Sequence, residues 1–243
     1  MKYIDIHSHV LPCMDDGAVD MEMAVEMLRM AQAEGISDII VTPHYTSGRF
    51  RADSRQLKEQ LNKLRERSLE AGLTVNLYPG TEVYYRGGLE GKFESGELCT
   101  MNGTEYVLVE FSPMESYMHI RAAMDDLFCM GLHPILAHVE RYQCLCKRPE
   151  YLRELKNMGC DFQVNAESII GEAGFMIKRR VHRFLKDGLV DYIGTDAHNT
   201  TDRKPGIKKC AELLYRKYGK SYADAVLFLN AAKRLQVKEM RNE

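Results

Sequence analysis

The chain opens on a short apolar strand that ends in two histidines. Tyr3 to Ile6 read as buried extended backbone, His7-Ser8-His9 follow, and Asp15-Asp16-Gly17 lie one loop further on. In a strand, residues i and i+2 project to the same side, so both imidazoles face one point and can share an ion. One H-x-H pair alone is a common accident. Here it sets a pattern, because other predicted strands also end in a histidine or a carboxylate.

Asp20 reads as an N-cap. Met23, Met27 and Met30, with Ala24, Leu28 and Ala31, form an apolar stripe at helical spacing that Gly35 ends. These methionines read as core packing, since thioethers fill irregular gaps. Ser37 to Thr42 is the second strand and runs into Pro43-His44. Asp53 opens a charged helix with Gln56 at the capping-box position, Leu57, Leu61 and Leu64 as its buried stripe, and Gly72 as its end. Thr74 to Tyr78 is the third strand, followed by Gly80-Thr81-Glu82 and a glycine-rich region to about Gly103. Tyr106 to Val109 is the fourth, ending at Glu110. A helix from His119 to Met130 leads to the fifth strand, Pro134 to Ala137, with His138, Glu140 and Arg141 beyond it. Pro149 and Gly159 bracket the next helix. Asp161 to Val164 is the sixth strand, ending at Asn165. A helix from Gly174 to Lys186 precedes the seventh, Val190 to Gly194, which runs into Thr195-Asp196-Ala197-His198. Two helices, Lys204 to Tyr218 and Tyr222 to Lys238, complete the pattern.

Short apolar strands alternating with amphipathic helices imply a parallel sheet. A doubly wound open sheet would gather its ligands near one switch point. Here almost every strand places a polar residue at its C-terminal end. That fits an α/β fold closed into a distorted TIM-like barrel of about seven parallel strands. With 243 residues and no linker, repeat or low-complexity stretch, a single domain over 1–243 is expected. The net charge of −2 carries no nucleic-acid footprint. Seven cysteines, an odd number without a CxxC pair, read as reduced thiols of a cytoplasmic protein. The first residues enter a strand at once, so no signal peptide is expected, and no apolar run approaches the ~18 residues of a membrane span.

The candidate metal ligands are His7, His9, Asp16, His44, Glu82, Glu110, His138, Asp196 and His198. His119, His133 and His182 lie on helices or before a strand and read as structural or surface residues. This many nitrogen and oxygen donors exceeds what one catalytic ion takes, so two or three divalent ions with a bridging carboxylate are expected. Without a cation, so many buried carboxylates would repel. Cys13 is near the set but off its pattern, so no thiolate is included. Mixed imidazole and carboxylate sites suit manganese, iron or zinc, manganese being the first choice. Cys210 and Arg216 form the C-x5-R spacing of cysteine-dependent phosphatases. The intervening Ala-Glu-Leu-Leu-Tyr is a helix former without the glycines of a phosphate-cradling loop, so this spacing carries no site.

The motifs D-I-H-S-H at 5–9, D-D-G-A at 15–18, T-P-H at 42–44, G-T-E at 80–82, L-V-E-F at 108–111, A-H-V-E-R at 137–141 and T-D-A-H-N at 195–199 resemble the PHP (polymerase and histidinol phosphatase) superfamily of metal-dependent phosphoesterases. The whole chain fits. The D-D-G-A loop, the H-x-E-R element and Arg203 look most like the bacterial tyrosine-protein phosphatases of capsule and exopolysaccharide operons. The resemblance implies a distorted seven-stranded barrel with three ions. His7, His9, Glu82 and Asp196 would hold the first. Glu82 would bridge to a second held also by Glu110 and His138, and Asp16, His44 and His198 would hold the third. Arg141 and Arg203 would face the phosphate. Val139 stands where relatives often have proline, and the Gln163–Glu167 stretch also departs from their pattern, which leaves the substrate contacts on that side open.

The expected reaction is hydrolysis of phosphotyrosine by a metal-bridged hydroxide attacking phosphorus in line, with the ions and both arginines offsetting charge on the phosphoryl oxygens. His44 or a water on the third ion would supply any acid. An ion pair of Arg141 with Glu140 or a loop carboxylate is the plainer alternative for that residue. The implied partner is the tyrosine-rich tail of a membrane-associated bacterial tyrosine kinase. Three rivals stay open: a histidinol-phosphate phosphatase of the same superfamily, an amidohydrolase (a family that usually places a lysine where Glu110 stands), and a metal-bound module that binds phosphotyrosine without turning it over.

Overall fold

The computed structural model describes residues 2–46, 50–51 and 53–237. Strand β1 (Tyr3–Ser8) is followed by helix α1 (Met21–Ala33), β2 (Ile36–Val41), β3 (His44–Thr46), β4 (Phe50–Arg51) and α2 (Ser54–Glu70). Asp20 and Asp53 cap the two helices by accepting from the N–H groups of Met23 and Gln56 (2.8 and 2.9 Å). Next come β5 (Asn76–Pro79), β6 (Glu82–Tyr84), β7 (Tyr106–Glu110), α3 (Tyr117–Cys129) and β8 (His133–Leu136). Then α4 (Gln143–Lys147), α5 (Pro149–Met158), β9 (Asp161–Asn165), α6 (Ala166–Ile170), α7 (Phe175–Lys186) and β10 (Tyr192–Gly194) lead to α8 (Lys208–Tyr218), α9 (Lys220–Asp224), a π-helical turn at Ala225–Leu229 and α10 (Asn230–Arg234).

The ladders run β1-β2-β5 in one sheet and β10-β9-β8-β7-β6-β3-β4 in the other, parallel throughout except for the β3–β4 hairpin. The two sheets are one ring. β2 and β3 are halves of a single path interrupted at Thr42-Pro43, where proline removes a ladder donor. β5 and β6 are halves of another, interrupted at Gly80-Thr81. Backbone bonds cross the breaks, Thr42 N–H to Ser8 and Glu82 N–H to Pro43. Beyond β10, Ala197 bridges Ser8 in parallel, with Asp196 N–H on the His7 carbonyl and His9 N–H on the Ala197 carbonyl, both 2.8 Å. Seven stations therefore surround the barrel, as expected of it.

Alternation along the strands sorts two cores. Ile4, Ile6, Ile40, Leu108, Ile135 and Tyr192 pack together with Ala231 and Leu235 from the end of the described chain. Their strand neighbours Ile39, Val107, Val109 and Ile193 pack with helix residues such as Leu28 and Leu61. Several boundaries differ from expectation. The helix expected from Lys204 starts at Lys208, where Glu34 accepts from the N–H groups of Ile207 and Lys208 (3.0 and 2.9 Å) and so caps its first turn. β5 is displaced to Asn76–Pro79, and α4 and α6 are short helices that periodicity did not reveal. The last helix spans Lys220 to Arg234 through the π turn, and its expected end, Lys238, lies outside the described residues.

Candidate metal centre

All nine sequence-predicted ligands lie at the C-terminal mouth of this barrel. β1 delivers His7 and His9, whose Nε2 atoms stand 3.2 Å apart. Glu82 enters beside them because β3 and β6 pair in the register His44↔Glu82. Its Oε2 lies 3.1 Å from His7 Nε2, 3.2 Å from His9 Nε2 and 3.0 Å from His44 Nδ1. Its Oε1 lies 3.1 Å from His138 Nε2. Glu110, the last residue of β7, stands 3.0 Å from His44 and 3.5 Å from His138. Asp196 Oδ1 is 3.5 Å from both His7 and His9. Asp16, whose side chain is 53% exposed, is the outermost of the set, 3.5 Å from His44 and 3.7 Å from His198.

Glycine makes this crowding possible at two places. A Cβ on Gly17 would sit 2.1 Å from the His9 carbonyl oxygen, and one on Gly194 would sit 2.7 Å from His7 Cβ. His138 and Asp196, which leave β8 and β10, both adopt left-handed backbone (φ 33° and 54°), a cost that non-glycine residues bear mainly at functional sites.

A second layer fixes the rings, and here the sequence reading missed two residues. Asp15, not only Asp16, is built into the site: its buried carboxylate holds His9 Nδ1 at 2.7 Å and accepts from the N–H groups of His44 (2.8 Å) and Gly17 (2.9 Å). Gln163 Oε1 accepts from His138 N–H (2.8 Å) and lies 3.1 Å from His7 Nδ1. His198 Nδ1 lies 2.9 Å from the Asp196 carbonyl. In all three rings the outer nitrogen is occupied and Nε2 is turned inward, the arrangement that orients imidazole ligands. The departing stretch at 163–167 thus lies inside the site. Gln163 Nε2 donates to Asn165, Asn165 Nδ2 donates to Asp196 (both 2.9 Å), and Glu167 meets Arg141. Only the pairing of H-x-H with D-D-G in one loop could have pointed to Asp15.

Arg141 and Arg203 both grip Asp196, at 3.0 Å on Oδ2 and 2.9 Å on Oδ1. Arg141 pairs with Asp196 and Glu167 rather than Glu140, which is fully buried and accepts from Asn165 N–H (2.9 Å). Arg141 also borders a recess of about 480 Å³ that includes His44, Glu110 and His138 and is walled by Tyr84 and Phe111, whereas Arg203 lines a second recess with Asp196 and Glu167. The three histidines set aside lie elsewhere. His119 pairs with Glu115, His133 opens β8 near Asp161, and His182 meets the Tyr218 hydroxyl. Cys13 is exposed, its thiol on the Val19 carbonyl.

Burial opposes ionisation of Glu82, yet His7, His138 and His44 hold its carboxyl well below the usual range. Asp196 is held low in the same way, burial opposing and His7, His9 and Arg141 prevailing. Burial and the neighbouring His9 push His198 down to about 3. Burial opposes protonation of His44, but Glu110 and Glu82 pull it up to about 10. Protons and metal ions compete for such nitrogens.

The residues fit divalent ions. Two ring nitrogens face each other, and Glu82 Oε2 is buried among three imidazoles without a well-formed hydrogen bond. Separations of about 3 Å are those between neighbouring ligands that each stand about 2.1 Å from a common ion. Overlapping triads, His7-His9-Glu82, His9-His44-His198 and His44-Glu82-Glu110, place several such points side by side.

Fold and mouth define the class, a metal-dependent α/β-barrel hydrolase. The chain belongs to the capsular polysaccharide synthesis CpsB/CapC family, whose model matches residues 3–236. It is 31% identical over 235 residues to the tyrosine-protein phosphatase CpsB of Streptococcus pneumoniae, covering 95% of this chain and 97% of that one. It is 31% identical to the tyrosine-protein phosphatase YwqE of Bacillus subtilis over 89% of this chain and 85% of that one. A solved structure from a study of YwqE and CpsB, described as metal-dependent tyrosine phosphatases, superimposes with a TM-score of 0.91 at 29% identity, covering 98% of this chain and 96% of that one. As a member of this family the protein is a metal-dependent phosphatase.

Proposed function

We propose that this enzyme, acting as one domain in the cytoplasm, hydrolyses phosphotyrosine in proteins. Its substrate is the tyrosine-rich tail of a membrane-associated bacterial kinase that regulates capsule or exopolysaccharide synthesis. One observation carries the reading: imidazoles and carboxylates converge beside two guanidiniums that share Asp196, and one of them, Arg141, stands at the edge of an aromatic-walled recess. His7, His9, Glu82 and Asp196 would hold one ion. Glu82, Glu110 and His138 would hold a second, and Asp16, His44 and His198 a third, with manganese the preferred metal. When bound, divalent ions supply Lewis acidity and an acidified water.

The chain's own groups do the rest. Arg141 and Arg203 present planar forks to the phosphoryl oxygens while Asp196 holds both in place. Tyr84 and Phe111 wall the space for the substrate ring. His44 would give the phenolic oxygen its proton only when it is not holding the third ion. A phenolate, with a pKa near ~10, needs little such help.

The test is phosphate release from a phosphotyrosine peptide and from histidinol phosphate, each with Mn²⁺ and with a chelator. Chelator-sensitive turnover favouring the peptide is expected. Preference for histidinol phosphate would overturn the substrate, and no turnover with metal bound would overturn the reaction. Cys210→Ser should leave turnover unchanged, because Cys210 is buried in α8 and burial pushes its thiol up. A folded but inactive Cys210→Ser would point back to a cysteine nucleophile.

A further inference from the structure

Helix α7 carries a concentration of positive charge that the reaction does not use. Its twelve residues include Lys178, Arg179, Arg180, Arg183 and Lys186 and no carboxylate, in a chain whose net charge is −2. Phe175, Met176, Arg179, Arg183 and Lys186 follow one another along a single exposed face. At its start Phe175 and Met176 are 75% and 58% exposed. Arg179, Arg180 and Arg183, with Met176 and Cys146, line a recess of about 360 Å³, and among the described residues no carboxylate lies on its wall.

The recess and the catalytic mouth share one segment of chain. The Cys146 thiol donates to the carbonyl of Glu140, the neighbour of Arg141 (3.1 Å), and Arg183 donates to the Cys146 carbonyl (3.0 Å). Lys178 ties α7 to the Ile170 carbonyl of α6 (2.8 Å), and α6 carries Glu167, which meets Arg141 at 3.5 Å. Burial pushes the Cys146 thiol up to about 11, so it offers a neutral wall and no competing anion.

Guanidiniums gathered around one hollow repel each other unless an anion sits among them. Their forks match phosphate oxygens bidentately. Resting on the reading of the mouth as a phosphotyrosine site, we propose that the α7 recess is a second phosphate-binding site. It holds one phosphotyrosine of a multiply phosphorylated chain while the mouth hydrolyses another. A flat basic face would suit a lipid surface. This site is concave and takes one discrete phosphorylated side chain, with Phe175 and Met176 as apolar cover at the rim. Tethering makes the second contact intramolecular, which raises affinity without strengthening either site.

Calorimetry and steady-state turnover with singly and doubly phosphorylated tyrosine peptides, the latter with several spacer lengths, test this on the manganese-loaded full chain. At the best spacer the doubly phosphorylated peptide should bind about tenfold tighter and show a correspondingly lower KM. Arg179→Ala/Arg180→Ala should erase that preference and leave turnover of a small aryl phosphate unchanged. Arg179→Ala alone alters only an exposed side chain and should reduce the preference, which keeps the test intact if the double variant does not fold. Equal binding of the two peptides by the wild type, or an undiminished preference in the folded variants, would overturn the proposal. Loss of binding to phosphatidylglycerol vesicles with the peptide preference intact would assign the face to a membrane instead. If neither peptide is hydrolysed, the reading of the mouth fails, while the calorimetric preference still decides the recess.

Discussion

The barrel carries carboxylates at both of its ends, and the two ends balance them differently. At the N-terminal end, Asp161 opens β9 and Asp191 precedes β10. Lys156 meets Asp191 and lies 3.3 Å from Asp161, while Arg234 stands 2.6 Å from Asp161 and 3.5 Å from Asp191. The Tyr192 hydroxyl donates to Asp161 (3.0 Å) and the Phe162 N–H to Asp191 (2.8 Å). Here two carboxylates meet two cations of the chain itself. At the C-terminal end, Asp196 has Arg141 and Arg203, but Glu82 and Glu110 face imidazoles, and imidazole nitrogens face one another. A buried cluster that brings its own cations is structural. One that brings an excess of acceptors is a place for ions from outside.

The largest effect separates the ends by reaction. Asp196→Ala or His138→Ala should lower turnover by at least about a hundredfold to a thousandfold while the fold, followed by circular dichroism, is kept. Asp161→Asn should do the reverse, lowering the melting temperature while keeping turnover within about twofold. Substantial activity in Asp196→Ala with metal content confirmed would dissolve the distinction, as would a dead but fully metal-loaded Asp161→Asn.

The next effect separates them by metal. Ligands that bind only the folded state stabilise it by mass action, about 2.7 kcal/mol at a hundred times Kd. Manganese should therefore raise the melting temperature by several degrees in the wild type and in Asp161→Asn, and by much less in Asp196→Ala. An equal rise in all three would place the ions elsewhere.

Much of this contrast was legible from sequence at one end only. The mouth announces itself because strand ends are local: H-x-H, T-P-H and T-D-A-H each combine a strand with the ligand that leaves it. What stayed hidden depends on meetings across the chain. Asp15 earns its role from a hydrogen bond to His9, and Gln163 from a bond to His138 N–H twenty-five residues away. That both arginines grip Asp196 follows from loop geometry that no spacing encodes. The lower cluster left no motif at all, since Lys156, Asp161, Asp191 and Arg234 look like ordinary charges until α5, α10 and two strand starts come together. The break of β2 from β3 was visible as Pro43, but pairing alone shows that the path continues beyond it.

Arg234 offers a smaller, purely structural effect. Breaking a buried ion pair from one side costs about 3–5 kcal/mol. The Arg234 side chain is 35% exposed, so solvent screens part of this, and Arg234→Met should cost about 2 kcal/mol in a urea titration. Turnover and metal content should not change. A loss of metal in this variant would show that the two ends are mechanically coupled, and the contrast between them would have to be redrawn.

The smallest effect concerns pH and isolates the lower cluster from the upper one. Burial would raise the Asp161 carboxyl, but His133, Lys156 and Arg234 hold it well below the usual carboxylate range. A depressed folded pKa means that the unfolded chain takes up the proton first. The stabilisation is therefore complete above the unfolded value near ~3.9 and is lost as pH falls from there toward the folded value. Asp191 shifts the other way, pushed up by burial and by Asp161, so the acid limb reads Asp161. Arg234→Met lets the Asp161 pKa return toward its unfolded value. The stability gap between wild type and variant should then stay constant from pH 6 to about pH 4 and begin to narrow by about pH 3 in metal-free protein. The carboxylates of the mouth titrate in both proteins and cancel in the difference. A gap that stays constant to pH 3 would assign the contribution of Arg234 to its contact with the Tyr192 ring, 6.0 Å from the guanidinium carbon, rather than to its charge. The lower cluster would then be held by packing, and the two ends would differ less in how they balance charge than their geometry implies.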